Sequence, residues 1–344
     1  MMSSRDTVVI FGGTGFIGTH IAQHWRREKL AAKILLVDLN PPRTAPYAGE
    51  LQQGLASGDM EYVPWDVRKP IPESLLPDKA DLIFNLAAVH REPGHKLHEY
   101  FETNLYGAEN VCAWAARAGC GHMVFTSSIS PYGPSEDMKD EQSLPVPETA
   151  YGSSKLVAEK IHLKWQAEQA GRKLLILRPG VVFGPGEGGN VTRLVRSLVK
   201  GYFVYMGNRR TRKAGGYVKE LCRVAQFGLQ HQERSGEEVT LLNFSMNPLP
   251  DLEDFVRSIQ KTAGLRGKPL SVPRSMLLGA SYPIDGIARA LGIRQPISPV
   301  RVRKLFRSTA VDAKGLRDLG YQWKYTLEDA FADWKQDFPS DFTR

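Results

Sequence analysis

The 344-residue chain is predicted to be α/β, a doubly wound parallel (Rossmann) sheet followed by a smaller, mixed C-terminal part. Three observations carry this. From residue 7 to about 183, short apolar β-branched runs alternate with helix-length amphipathic stretches, the β-α-β repeat that a parallel sheet requires. Gly12, Gly15 and Gly18 stand directly after the first of these runs, where a strand turns into a helix. Beyond the Gly/Pro-rich "GPGEGG" at 184–189 the regularity weakens, which places a boundary near residue 183.

The strands are read in order as "TVVIFGG", "KILLVDL", "MEYVPWDV", "DLIFNLAA", "HMVFTSS" and "KLLILRPGVVFG". Helical patterns at 16–28, 97–118 and 150–170 link them. Residues 1–183 form the first domain, its sheet receiving later strands too, and 184–344 mostly the second. In the second part "EVTLLNF" reads as a strand, and "PDLEDFVRSIQKTAG" as a helix with Asp251 as N-cap. "TLEDAFADWKQDF" reads as a closing helix. No period of 20 to 50 residues recurs, so a repeat architecture is excluded.

Composition narrows the function classes. With 42% hydrophobic and 24% charged residues, the chain is that of an ordinary globular protein. Its three cysteines, Cys112, Cys120 and Cys222, show neither metal-ligand spacing nor the even count of a disulfide framework, so no metal is expected. The opening residues lack a basic segment followed by an apolar core, and a cytoplasmic setting is the expectation. "MLLGASYPIDGIARALGI" is interrupted by Pro283, Asp285 and Arg289; it reads as a helical hairpin or pocket wall rather than a membrane span. A net charge of +8 suits a phosphorylated small substrate as well as nucleic acid, but "RSLVK", "RRTRK" and "RVRKLFR" are short and scattered. No nucleic-acid partner is expected.

Small residues at a strand-to-helix junction let backbone approach a pyrophosphate, while the helix N-terminus offers unpaired N–H groups to its charge. A tight turn with close helix packing is the other reading of the glycines alone. Asp38, ending the second strand in "ILLVDLN", tilts the balance. A carboxylate there accepts from both ribose hydroxyls and repels a 2′-phosphate, which favours NAD over NADP.

"TAYGSSKLVAEK" sets Tyr151 and Lys155 four apart, on one helix face. A free tyrosine is a poor base at neutral pH; an adjacent ammonium stabilises its phenolate. Taken alone, the pair also fits a tyrosine packed beside a solvated lysine. The fifth strand, however, ends in Thr126, Ser127 and Ser128, at the sheet edge where ligands gather in open α/β folds. A hydroxyl there polarises a reacting alcohol or carbonyl.

These motifs, in this order, resemble the extended short-chain dehydrogenase/reductase family, the group of nucleotide-sugar epimerases, dehydratases and reductases. The resemblance runs through "GGTGFIG", Asp38, "WDV", "NLAA", "NLYGAENV", "TSS", "YGSSK" and "LRPGVVFGPG". It implies Ser128, Tyr151 and Lys155 as catalytic residues. For NAD it implies Gly12, Gly15, Phe16, Ile17 and Gly18 at the pyrophosphate, and Asp66 and Val67 at the adenine. Leu86, Ala87, Ala88, Asn104, Thr126 and Ser127 line the middle, and Pro179, Val181 and Val182 the nicotinamide end.

Dehydratases of the family carry a Thr-Asp-Glu triplet where this chain has Ser128, Ile129 and Ser130. Without a carboxylic acid and carboxylate to eliminate water, dehydration is disfavoured. An epimerase on a nucleotide sugar, working through a transient keto intermediate with Tyr151 as acid and base, is the first expectation. A dehydrogenase or reductase of a nucleotide sugar or a hydroxysteroid-like alcohol is the alternative, and a non-catalytic NAD(H)-binding protein a third. Substrate contacts are expected from Val89, His90, Arg91, Ser130 and Asn190, and from Arg212, Lys213 and Tyr217 in "GNRRTRKAGGYVKEL". The resemblance also implies a homodimer through the Tyr151 helix and the one before it, where Ala113, Ala115, Ala116, Val157 and Ile161 are small or apolar.

Overall fold

A computed structural model describes residues 4–91, 94–272 and 308–343. "MLLGASYPIDGIARALGI" and "RVRKLFR" lie outside the described residues. The chain begins β1 (Arg5–Phe11), α1 (Phe16–Arg27), β2 (Ala31–Asp38), α2 (Gly49–Ser57), β3 (Met60–Pro64) and β4 (Leu82–Asn85). It continues through α3 (Leu97–Arg117), β5 (His122–Thr126), β6 (Ser135–Lys139), α4 (Ala150–Ala167), β7 (Lys173–Pro179) and β8 (Val181–Phe183). Then come α5 (Asn190–Val199), β9 (Tyr205–Met206), β10 (Gly215–Tyr217), α6 (Val218–Ser235), β11 (Val239–Phe244) and α7 (Leu252–Ala263). The last described elements are β12 (Ser271–Val272), β13 (Thr309–Val311), α8 (Lys314–Asp318) and α9 (Leu327–Asp337).

Seven strands pair in the order β11-β7-β5-β4-β1-β2-β3, every neighbouring pair parallel. The chain leaves β1 toward β2 on one side and returns to β4 on the other, so the crevice beyond the carboxyl ends of β1 and β4 is the switch point of the sheet. Alternation along each strand feeds two cores. Val8 and Ile10 pack with Ile21 and Trp25 of α1 and Leu221 and Ala225 of α6. Val9 and Phe11 pack with Val111 and Ala115 of α3 and Ala158 and Trp165 of α4.

β11 joins the large sheet at its edge, with α6 on its face, so the sheet receives a strand and a helix from beyond residue 183. The remaining elements form a smaller unit with its own core, Phe183, Val195, Phe255, Phe331 and Trp334 among its members. β8 pairs with β10, β9 with β12 and β6 with β13. Asp251 caps α7 in a reciprocal box with Asp254, and Thr326 caps α9 in the same way with Asp329.

Candidate functional site

Gly12 takes φ +77°, in the left-handed region that side chains disfavour. A Cβ there would lie 2.8 Å from the Ala87 nitrogen, and one on Gly18 would lie 2.2 Å from the Gly12 carbonyl oxygen. These two glycines let β1, the end of β4 and α1 close on one another. Gly15 is the N-cap of α1 and provides no side-chain cap. The first-turn N–H groups, those of Phe16, Ile17 and Gly18, are thereby without a side-chain acceptor, and the positive helix end fits a pyrophosphate.

The Asp38 carboxylate is held at the rim of this cradle by the Thr14 N–H at 3.2 Å and the Asn40 N–H at 3.1 Å, with lone pairs left for hydroxyl donors. The Arg43 guanidinium donates to the Thr14 carbonyl at 3.2 Å, the Tyr47 hydroxyl at 3.0 Å and the Gly186 carbonyl at 3.2 Å. Its Nε and Nη1 donors are thus engaged by neutral acceptors. Asp66 is gripped by Arg68, Nε at 2.9 Å and Nη2 at 2.7 Å, which holds its carboxyl below the usual range. Beside it Val67 is buried.

At the other end of the crevice Thr126, Ser127 and Ser128 are buried at the carboxyl end of β5. The Ser128 hydroxyl accepts the Ser130 N–H at 3.1 Å and donates to the Ser130 hydroxyl at 3.1 Å. Thr149 caps α4 by accepting from Gly152 N at 3.1 Å, which puts Tyr151 in the first turn and Lys155 in the next. Gly152 allows this turn to press on the serine loop, since a Cβ on it would lie 2.7 Å from the Ser130 carbonyl oxygen. Tyr151, half-buried, has its ring centroid 6.2 Å from that of the buried Tyr100.

Lys155 is 2% exposed, with Nζ 4.4 Å from the centre of the Phe125 ring. Burial pushes its ammonium down to about 7, against the attraction of Glu159. Its proton uptake and release therefore fall near neutral pH.

Asn104 is buried and ties down the loop after β4. Its Oδ1 accepts from Val89 N at 2.8 Å, and its Nδ2 donates to the Val89 carbonyl at 3.1 Å and the Ser154 hydroxyl at 2.9 Å. Leu86, Ala87 and Ala88 on this loop are half-buried beside the glycine turn, and His90 and Arg91 are exposed. The Tyr100 hydroxyl donates to the Arg91 carbonyl.

Pro179 ends β7, and Val181 N–H donates to the Ala214 carbonyl at 2.7 Å. The backbone of Pro179 to Val182 consequently runs beside Arg212 and Lys213, whose own backbones bridge to Asp251 and Thr309. Arg212 is exposed and Lys213 half-buried. Asn190 is exposed at the start of α5 and accepts from Arg193. Tyr217 departs from its expected place: it is wholly buried, its hydroxyl donates to Asp333, and burial raises its pKa. It is a core residue, because β10 turns that side chain toward α9.

Among the described residues no group of His, Cys, Asp or Glu is arranged to hold a metal, and no helix is long and apolar enough to cross a membrane. The cysteines are buried, and burial pushes the Cys112 and Cys120 thiols up to about 12. Two residues at the site were not singled out from the sequence, Glu159 and Arg178. Arg178 donates to both oxygens of Glu159, Nε at 2.8 Å and Nη2 at 2.6 Å. The signal was present, since Glu159 stands four residues after Lys155 on the same helix face.

Comparison with known proteins agrees with this fold. The N-acetyl-alpha-D-glucosaminyl-diphospho-ditrans,octacis-undecaprenol 4-epimerase of Escherichia coli O157:H7 is 27% identical over 94% of this chain and 92% of its own. A decarboxylating sterol-4-alpha-carboxylate 3-dehydrogenase of Saccharomyces cerevisiae is 26% identical over 95% and 96%. The fold matches the crystal structure of a UDP-glucuronic acid 4-epimerase from Bacillus cereus in complex with NAD, with a TM-score of 0.75 and 17% identity, over 98% of this chain and all of that one. The sequence model of the NAD dependent epimerase/dehydratase family matches residues 8–241, and the chain belongs to that family.

Proposed function

We propose that the chain is an NAD-dependent epimerase that inverts a hydroxyl-bearing carbon of a sugar carried on a diphosphate, with a nucleotide as the carrier. The observation that carries this reading is the first turn of α4, with Tyr151, seated on the Ser128–Ser130 loop after β5, and Lys155 one turn on over the Phe125 ring; the glycine turn after β1 suits a pyrophosphate. The presence of "4-epimerase" in the names of both the Escherichia coli relative and the Bacillus cereus structure supports the reaction type.

When bound, NAD supplies the hydride acceptor and donor. Tyr151 takes the proton of the sugar hydroxyl and returns it; Lys155, one turn along α4, favours the phenolate. Ser128 and Ser130 hold the reacting oxygen. Asp38 takes the ribose hydroxyls, Asn104 shapes the loop that flanks the cofactor, and Arg212 and Lys213 neutralise the diphosphate. Val89, His90, Arg91 and Asn190 border the sugar. α3 and α4 leave Phe101, Tyr106, Ala113, Ala116 and Val157 exposed, an apolar face for a second copy, while Ala115 is buried against the sheet. A homodimer working in the cytoplasm completes the proposal.

The test is to denature the purified protein, identify the released nucleotide, and follow sugar-nucleotide turnover with and without added cofactor. Bound NAD with turnover needing none from outside supports epimerisation. Stoichiometric NADH formation, on a sugar nucleotide or on a 3-hydroxysterol, establishes a dehydrogenase instead. A polyprenyl-diphosphate sugar as the sole substrate turned over overturns the nucleotide carrier but not the reaction.

A further inference from the structure

Behind the proposed proton-transfer residues lies a charged pair that catalysis by Ser128, Tyr151 and Lys155 does not itself require. Glu159 and Arg178 are 2% and 4% exposed and share a two-pronged hydrogen bond. Ser127, the neighbour of Ser128, donates its hydroxyl to the same carboxylate oxygen that receives Arg178 Nε. One carboxylate thus joins the ends of β5 and β7 to α4, the three elements that carry the serines, Pro179 and the Tyr-Lys pair. Isolating two charges from water is costly, and an apolar pair of the same volume would serve packing as well or better. The retained charges call for another role.

We propose that Glu159 is a positioning residue for proton transfer: clamped by Ser127 and Arg178, it is the fixed counter-charge that lets Lys155 hold its proton to higher pH beside Tyr151. The inference rests on the catalytic reading above. Glu159 stands one turn beyond Lys155 on the same face of α4, both side chains buried, and its charge opposes the effect of burial on Lys155. Among the described residues, the other titratable groups facing Lys155 include His162 on its own helix and His90 from the loop after β4, with Tyr151 one turn back on α4. His162 is buried and its pKa is lowered to about 4, so it is neutral at working pH. Glu159 is the one anion in the set.

The test compares the wild-type protein with E159Q/R178M, which removes both buried charges together and so leaves neither stranded; S127A provides a milder second variant. The ionisation of Tyr151 is read as the 295 nm absorbance titration of each protein minus that of the same protein carrying Tyr151→Phe, which needs neither substrate nor added cofactor. With the counter-charge gone, Lys155 loses its proton at lower pH, and the Tyr151 midpoint is expected to rise by about one pH unit. S127A, which loosens the carboxylate without removing it, is expected to move the midpoint the same way by a smaller amount. A folded double variant whose Tyr151 midpoint stays at the wild-type value overturns the proposal, as does a fall in turnover with no change in the pH profile. Unimpaired turnover in Tyr151→Phe alone would instead overturn the catalytic reading on which the proposal stands.

Discussion

Replacing Lys155 with methionine should stabilise the protein while abolishing turnover, and the gain should shrink as pH rises. The side chain is 2% exposed, and burial lowers its pKa from 10.5 to about 7. Between those values the unfolded chain binds a proton that the folded chain does not, so stability conferred by the rest of the fold is offset most at low pH and recovers as pH rises toward 10.5. At about 1.4 kcal/mol per pH unit, the penalty is about 4 kcal/mol at pH 7 and about 2 kcal/mol at pH 9. Methionine fills nearly the same volume and has no proton to lose. The assay is urea unfolding of nucleotide-free wild-type and K155M protein at pH 7, 8 and 9, with the difference in stability plotted against pH. A difference that is flat with pH, or that grows as pH rises, would refute the assignment of Lys155 as a buried amine whose protonation the fold opposes.

Other changes test separate parts of the site. Gly18→Ala puts a Cβ 2.2 Å from the Gly12 oxygen; it should cost about 1–3 kcal/mol of stability and weaken NAD binding at least tenfold, as measured by thermal unfolding and calorimetric titration. Asp38→Ala frees the N–H groups of Thr14 and Asn40 and should narrow the preference for NAD over NADP, read as the ratio of the two dissociation constants. Tyr132→Phe removes the 2.9 Å hydrogen bond to Asn243 and should lower stability by about 1–2 kcal/mol with little change in cofactor affinity. Glu220→Gln replaces a buried carboxylate that accepts the Tyr321 hydroxyl and the N–H groups of Lys324 and Tyr325. It should loosen the segment before α9, which hydrogen exchange at residues 321–326 would register.

The strands and the catalytic end were legible because their physics is local. β1, β2, β4, β5, β7 and β11 each follow a short apolar run, and α3, α4 and α7 each show helical periodicity; even the Asp251 cap was readable from the sequence. α2, α5 and α6 were not. The apolar face of α6, with Leu221, Ala225 and Leu229, is interrupted by Lys219 and Glu220, whose partners come from distant segments. Tyr217 misled for a related reason: its place in a substrate-side motif was visible, but Asp333, 116 residues away, was not. Glu159 and Arg178 escaped because each looks like an ordinary surface charge until the fold brings them together with Ser127.

The junction at Pro179 and Gly180 has a consequence for how the protein can be altered. Gly180 N–H donates to Phe244 at 2.9 Å, and the next amide, that of Val181, donates to Ala214 at 2.7 Å. A Cβ on Gly180 would come within 2.0 Å of the Ala214 oxygen. The large sheet thus passes into the smaller unit as one stitched ribbon, without a linker. A hybrid that borrows the second half of a relative would need to import β7 and β8 with it, because a splice after residue 183 parts the amides of Gly180 and Val181 from their native acceptors on Phe244 and Ala214.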